Sequence, residues 1–216
     1  MRHFKRFATL ALTTVSVVCL TGSAEANNIV LNGNFATGDL TSWTANSPLD
    51  ASNGPTFSQG WSVQAAGVEG NPFPGDTYFA SVGCIAAICI TGTTAQQASL
   101  MQSLTTTIGG TYTLTFEFTT SGHGAPNELL VLWNGSSVLD LGPGGTLGSV
   151  PNYTLYTVTG LVATSTSTNL TFLGRQESQW SSLADVDVEQ VTPEPATWML
   201  IGGALPLLAA LRRLRA

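Results

Sequence analysis

Apolar and polar side chains alternate most sharply between residues 112 and 119. Tyr112, Leu114, Phe116 and Phe118 fall on one side; Thr113, Thr115, Glu117 and Thr119 fall on the other. A period of two is that of a half-buried strand, and Gly109-Gly110 supplies the turn ahead of it. Shorter apolar or alternating runs predict further strands at 29–31, 62–65, 77–82, 99–106, 129–133, 137–141, 154–162, 169–173 and 184–190. Asn134-Gly135, between two of these runs, is a two-residue hairpin signal, because both residue types tolerate positive φ. No long segment between 27 and 191 keeps a helical period. Many short strands at close spacing, joined by Gly-rich turns, predict an all-β sandwich or barrel.

Composition supports that class. Residues 27–191 contain 24 Thr and 17 Ser; β-branched Thr suits a pleated surface, while Ser suits turns. Charge narrows the partners. The same stretch carries one basic side chain, Arg175, against eleven carboxylates. Such a surface repels phosphate backbones, which are held by Lys and Arg. Nucleic acid is excluded as a partner.

The two ends read as addresses. In residues 1–26, Arg2, Lys5 and Arg6 precede an apolar stretch, and Ala24-Glu25-Ala26 offers a small-x-small cleavage site before Asn27. This is the pattern of a secretory signal peptide; the alternative is an uncleaved anchor helix. Residues 192–216 open with Pro193-Glu194-Pro195, whose prolines favour an extended linker. An uncharged apolar segment, 196–211, follows, closed by Arg212, Arg213 and Arg215. As a helix it would reach about 24 Å against a hydrocarbon core of about 30 Å, a short transmembrane segment. The alternative is a buried amphipathic helix, although 198–210 carries no polar stripe. Basic clusters stay on the cytoplasmic side, so both ends favour placing the acidic middle outside.

Pro-Glu-Pro, a short apolar segment and an arginine cluster, in that order, resemble the PEP-CTERM sorting signal of Gram-negative bacteria. The resemblance implies the export machinery and a membrane-bound exosortase as processing partners. It also implies an inner-membrane intermediate, then delivery to the cell surface or an exopolysaccharide-rich biofilm matrix. Asn32-Gly33-Asn34-Phe35, Gly38 and Trp43 resemble the opening of galactose-binding-like jelly-roll modules. The stretch 102–116, Trp133-Asn134-Gly135, and Leu161-Val162-Ala163 leading to Leu170-Thr171-Phe172 resemble domains that precede PEP-CTERM tails. So does the closing run Leu183-Ala184-Asp185-Val186-Asp187-Val188. The expected architecture is a jelly-roll β-sandwich over 27–191, between an N-terminal signal helix and a short C-terminal transmembrane helix. Such modules often hold a structural Ca²⁺ where first and last strands meet. Here Ala36 and Ala184 stand where the family has acids, and Asp185 is the acid that remains. Calcium takes six to eight oxygens, so weak or absent binding is expected.

Candidate chemistry is sparse. Cys84 and Cys89 remain after signal cleavage, and an even count in an exported chain predicts a disulfide, with buried free thiols as the alternative. Two thiols without companions do not suggest zinc, and no cofactor is implied. His123, in a loop by composition, lacks a nucleophile motif. Glu117 and Glu128 flank one expected hairpin, though nothing marks them as a catalytic pair. Sugars stack on aromatic rings. Trp133 alternates with Leu129 and Val131 and reads as core, whereas Trp61, Trp180, Tyr78 and Arg175 are the expected exposed, carbohydrate-facing set. Two functions follow: a non-enzymatic exported protein, structural or polysaccharide-binding, or a secreted carbohydrate-active or ester-active hydrolase.

Overall fold

The structure, a computed structural model, describes residues 27–46, 60–65, 77–83, 97–120, 127–176 and 180–191. Within these, ten strands, numbered in chain order, form two five-stranded sheets. The first sheet runs β1 (Thr44–Asn46), β4 (Ala98–Thr105), β9 (Ser167–Arg175), β6 (Glu128–Trp133), β7 (Ser136–Leu141). The second runs β2 (Gly60–Ala65), β3 (Tyr78–Gly83), β10 (Trp180–Gln190), β5 (Thr111–Thr120), β8 (Val150–Val162). Every strand pair in them is antiparallel. The described residues form an all-β jelly-roll sandwich: the alternation predicts the all-β class and the resemblance the jelly-roll form.

Strand alternation fills the space between the sheets. Leu100, Leu104, Leu129, Val131, Leu170 and Phe172 face Leu114, Phe116, Phe118, Leu183, Val186 and Val188 in one core. Phe116 and Phe172 meet edge to face across the gap, ring centres 5.3 Å apart. Each such side chain contributes about 1.5–3 kcal/mol by leaving water, so the two sheets hold each other. Trp133 belongs to this core and donates its Nε1–H to the Val162 carbonyl at 2.9 Å. The β6–β7 hairpin turns at Asn134 (φ 49°) and Gly135 (φ 81°). Positive φ at both central residues is what a type I′ turn demands.

One strand went unpredicted and one expectation needs correction. β1, too short and too polar to show in the pattern, pairs with β4 at one sheet edge. Glu117 and Glu128 do not flank a hairpin: β5 and β6 belong to different sheets.

The expected strand at 29–31 pairs without forming a regular strand. Asn28 bridges Glu189, and the Ile29 amide donates to the Val188 carbonyl at 2.9 Å. Buried Gln102 on β4 holds the other side: its Oε1 accepts from the Leu31 amide and its Nε2 donates to the Leu31 carbonyl, both at 2.8 Å. One side-chain amide thus stands in for a strand partner. The N-terminal segment is tied to both sheets.

Candidate functional site

A cavity of about 490 Å³ opens where this N-terminal segment runs beside β10. Asn28, Asn32, Asn34, Glu117, Asp185 and Asp187 supply its polar wall, with Leu155 and Val30 among the apolar lining. The local sequence dictates this. β5 alternation sends Thr115 and Glu117 outward, opposite the face that buries Leu114, Phe116 and Phe118. β10 would bury Asp185 if its alternation continued. Instead its register with β5 shifts between Ala184 and Asp187, and Asp185 adopts φ 47°. This bulge turns Asp185 out to solvent, returns Val186 and Val188 to the core and brings Asp187 to the outer face.

The opposite wall is stitched by one asparagine. Asn32 takes φ 52°, a conformation that asparagine tolerates. Its Nδ2 donates to the carbonyls of Asp39 (3.1 Å) and Thr41 (3.0 Å), and its Oδ1 accepts from the Thr37 amide at 3.3 Å. Its own carbonyl accepts from Trp43 Nε1 at 3.1 Å. Val186 then donates its amide to the Gly33 carbonyl at 3.0 Å, joining the turn to the bulge.

Electrostatically the cavity is one-signed. Burial pushes the Asp187 carboxyl above its ordinary value, and the neighbouring charge of Glu189 adds to that. Asp187 Oδ1 is shielded from water and has no hydrogen-bond partner among the described residues. Asp39, on the far side of the Asn32 turn, is held low by hydrogen bonds from Thr41 and Thr37. Such a wall can accept hydrogen bonds from hydroxyls, or face a positive group.

The residues do not fit a calcium ion. No three His, Cys, Asp or Glu side chains converge among the described residues. Asp185 is exposed, and Ala36 offers no carboxylate. Ala184 is buried with Phe79 under half-buried Tyr153, where an aspartate would lose its water.

The four residues expected to face carbohydrate do not line this cavity. Trp61 is only 6% exposed; its ring lies across Gly174 and its Nε1–H bonds the Ala98 carbonyl at 3.0 Å. The polar residues around it in sequence suggested a loop, but β2 faces it inward. Arg175, also 6% exposed, sits at the end of β9 in register with Glu128. There burial and then the charge of Asp140 raise the Glu128 carboxyl, while Gln97 donates to its Oε2 at 2.8 Å. Both expectations of exposure are therefore corrected. Tyr78 is half-buried and packs on the core beside Gly38. Trp180 is partly exposed at the start of β10, in register with Gly83. Cys84, Cys89, His123, Pro193, Glu194, Pro195, Arg212, Arg213 and Arg215 lie outside the described residues.

Sequence reasoning missed Asn28, Asn32, Asn34 and Asp187 as site residues. The signal for Asp187 was present in the alternation Asp185-Val186-Asp187-Val188-Glu189, which already puts three acids on one face.

No protein-family model matches the chain, and no curated protein matches it. Solved structures share its fold. TmCBM61, solved in complex with β-1,4-galactotriose, superposes with a TM-score of 0.53 at 15% identity, over 77% of this chain and 100% of that one. The enzymatically active domain of tailspike protein 4 from bacteriophage CBA120 gives 0.51 at 12% identity, over 76% of this chain but 21% of that one. The CBM22-1 xylan-binding domain of Xyn10C from Paenibacillus barcinonensis gives 0.47 at 11% identity, over 80% and 99%. At these identities the likeness is one of fold.

Proposed function

We propose that this protein is an exported, non-enzymatic surface or matrix protein that holds a polysaccharide in the cleft between its N-terminal segment and the β10 bulge. The observation that carries the reading is the cleft itself: amides and carboxylates lining a concavity on a sandwich that shares its fold with a galactotriose-bound module. Asn side chains both donate to and accept from hydroxyls, and carboxylates accept from them strongly. The cleft is mainly polar, but Leu155, 62% exposed, offers an apolar surface to the C–H face of a sugar.

Charge selects the ligand class. The single Lys or Arg between residues 27 and 191, Arg175, is buried. An anionic glycan would meet carboxylates with no accessible cation in that segment, so the saccharide is neutral or carries amines. Of the expected aromatics, Tyr78 and Trp180 are partly exposed, both outside the cleft lining. Delivery follows from the Pro193-Glu194-Pro195 tail: export, a membrane-held intermediate, exosortase processing and release to the surface or matrix, with Cys84 and Cys89 joined as a disulfide. Mass spectrometry of the exported protein tests that part, since it reads both termini and the cysteine state.

Glycan-array binding paired with a reducing-sugar assay tests the cleft. Binding without turnover, weakened by Glu117→Gln or Asp185→Asn, is expected. Asn is chosen at 185 because it accepts the positive φ there. Sugar release abolished by either substitution would establish the hydrolase instead.

A further inference from the structure

One end of the sandwich carries no charge. Segments 106–111, 133–137 and 160–168, and the exit from β10 at 190–193, contain no Asp, Glu, Lys, Arg or His. Hydrogen bonds knit them together. The Gly109 amide donates to the Ala163 carbonyl at 2.8 Å, the Ala163 amide to the Gly110 carbonyl at 3.0 Å, and the Val191 amide to the Thr111 carbonyl at 2.8 Å. Asn134 joins through its Nδ2, which donates to Thr164 Oγ1 at 3.3 Å.

An apolar patch sits on this end. Five large apolar side chains are exposed among the described residues, and three of them, Ile108 (65%), Val162 (52%) and Val191 (49%), lie here. Register explains the grouping. Val162 stands opposite Thr111, and Thr111 accepts from Val191, so the three form the last rung of the outer face, across β8, β5 and the end of β10. Ile108 stands in the turn beside them. The next outward rung holds Glu189 opposite Thr113, about 7 Å away at about 3.4 Å per residue. The apolar surface is therefore one rung deep. Exposed patches of this kind mark interaction or membrane surfaces.

The chain beyond Val191 selects the occupant. Four residues, Thr192 to Pro195, separate it from the uncharged apolar segment 196–211, and at about 3.6 Å per residue they reach about 14 Å at most. We infer that this end of the sandwich docks on the outer surface of the lipid bilayer, with Ile108, Val162 and Val191 in the interface, while the tail still holds the chain there. The inference rests on the membrane-held intermediate of the proposed function. A tether that short keeps the patch at the bilayer at high effective concentration. Aliphatic side chains beside the exposed hydroxyls of Thr107, Thr164 and Thr166 suit an interface that is apolar below and wet above. The other membrane-directed segment starts from the same end, because Asn28 bridges Glu189. Docking leaves the cleft open. Its acids Glu117 and Asp185 lie six residues along the strands from Thr111 and Val191, about 20 Å at about 3.4 Å per residue.

Phosphatidylcholine vesicles, with and without bromine on their acyl chains, test this on residues 27–216. Ile108→Trp should add blue-shifted emission that brominated lipid quenches beyond the quenching of the parent chain. Ser149→Trp, exposed at the opposite end beside Val150, should add emission that is not quenched. Val162→Asp, combined with Ile108→Trp, charges the apolar rung and should abolish the added quenching while the protein still floats with the vesicles. Blue-shifted emission that bromine does not quench means that the tail or a second copy covers the patch, and overturns the proposal. Quenching indifferent to Val162→Asp also overturns it. Flotation without quenching of Ile108→Trp sinks the docking alone, whereas a chain that does not float sinks the membrane-held intermediate with it.

Discussion

Gly33 and Val186 are joined backbone to backbone with no room between them. The Val186 amide donates to the Gly33 carbonyl at 3.0 Å, and a Cβ built on Gly33 would fall on the Val186 carbonyl oxygen. That close approach fixes the N-terminal segment against the β10 bulge and so shapes the cleft. Gly33→Ala must push the N-terminal segment away from β10, because the clash is with backbone rather than a movable side chain. A destabilisation of about 1–3 kcal/mol is expected, read as a lower denaturant midpoint with unchanged slope. Saccharide affinity should fall with it.

Trp61 separates a structural role from a binding one. Its indole N–H satisfies the Ala98 carbonyl inside the core. Trp61→Phe would remove that hydrogen bond and should cost about 0.5–1.5 kcal/mol; Trp61→Ala, which also opens a cavity, should cost about 3–5 kcal/mol. Thermal denaturation measures both. Folded Trp61→Phe protein should retain its glycan binding, since the ring does not reach the cleft.

How much of this could be read from the chain follows from which residues act locally. The period-two run 112–119 and the Asn134-Gly135 turn carry their instructions within a few residues, and both appear as expected. The class of the fold was therefore legible. Trp61 was not, because its burial depends on Gly174, more than a hundred residues away, presenting no side chain to its ring. The cleft was half legible. Asp185 was singled out, but the bulge that exposes it shows only as a mismatch of pattern: Leu183 and Val186 both face inward at odd spacing. Nothing local to Asn32 announces that its amide will bridge two carbonyls further along the turn.

Stability should be greatest on the acid side of neutrality. Asp187 and Glu128 both have carboxyls raised above their ordinary values of 3.8 and 4.5, chiefly by burial. For a raised carboxyl the folded state disfavours the charge, so it destabilises the fold at neutral pH. That penalty is relieved as pH falls through the folded value. Asp39 works oppositely: hydrogen bonds from Thr41 and Thr37 lower it below 3.8, so its contribution is lost only as pH falls through that lower value. The melting temperature should therefore rise on acidification from neutral pH, pass a maximum at mildly acidic pH, and then fall. Glu128→Gln should flatten the rising part, because Gln97 can still reach an amide oxygen there. A pH series of melting curves on the two proteins checks this.

The turn from Asn32 to Trp43 should hold without divalent cations. The Asn32 Nδ2 group draws together the carbonyls of Asp39 and Thr41, with the Thr37 amide bonded to its Oδ1. A neutral amide donating to two carbonyls does what a cation would do by attraction, at fixed geometry and with no titratable partner. A chelator should then leave the melting temperature unchanged, and calorimetric titration with calcium should give no micromolar site. Asn32→Ala removes all three bonds and should cost about 1–3 kcal/mol. Added calcium should not restore it, since Ala36 and exposed Asp185 offer no carboxylate set in their place.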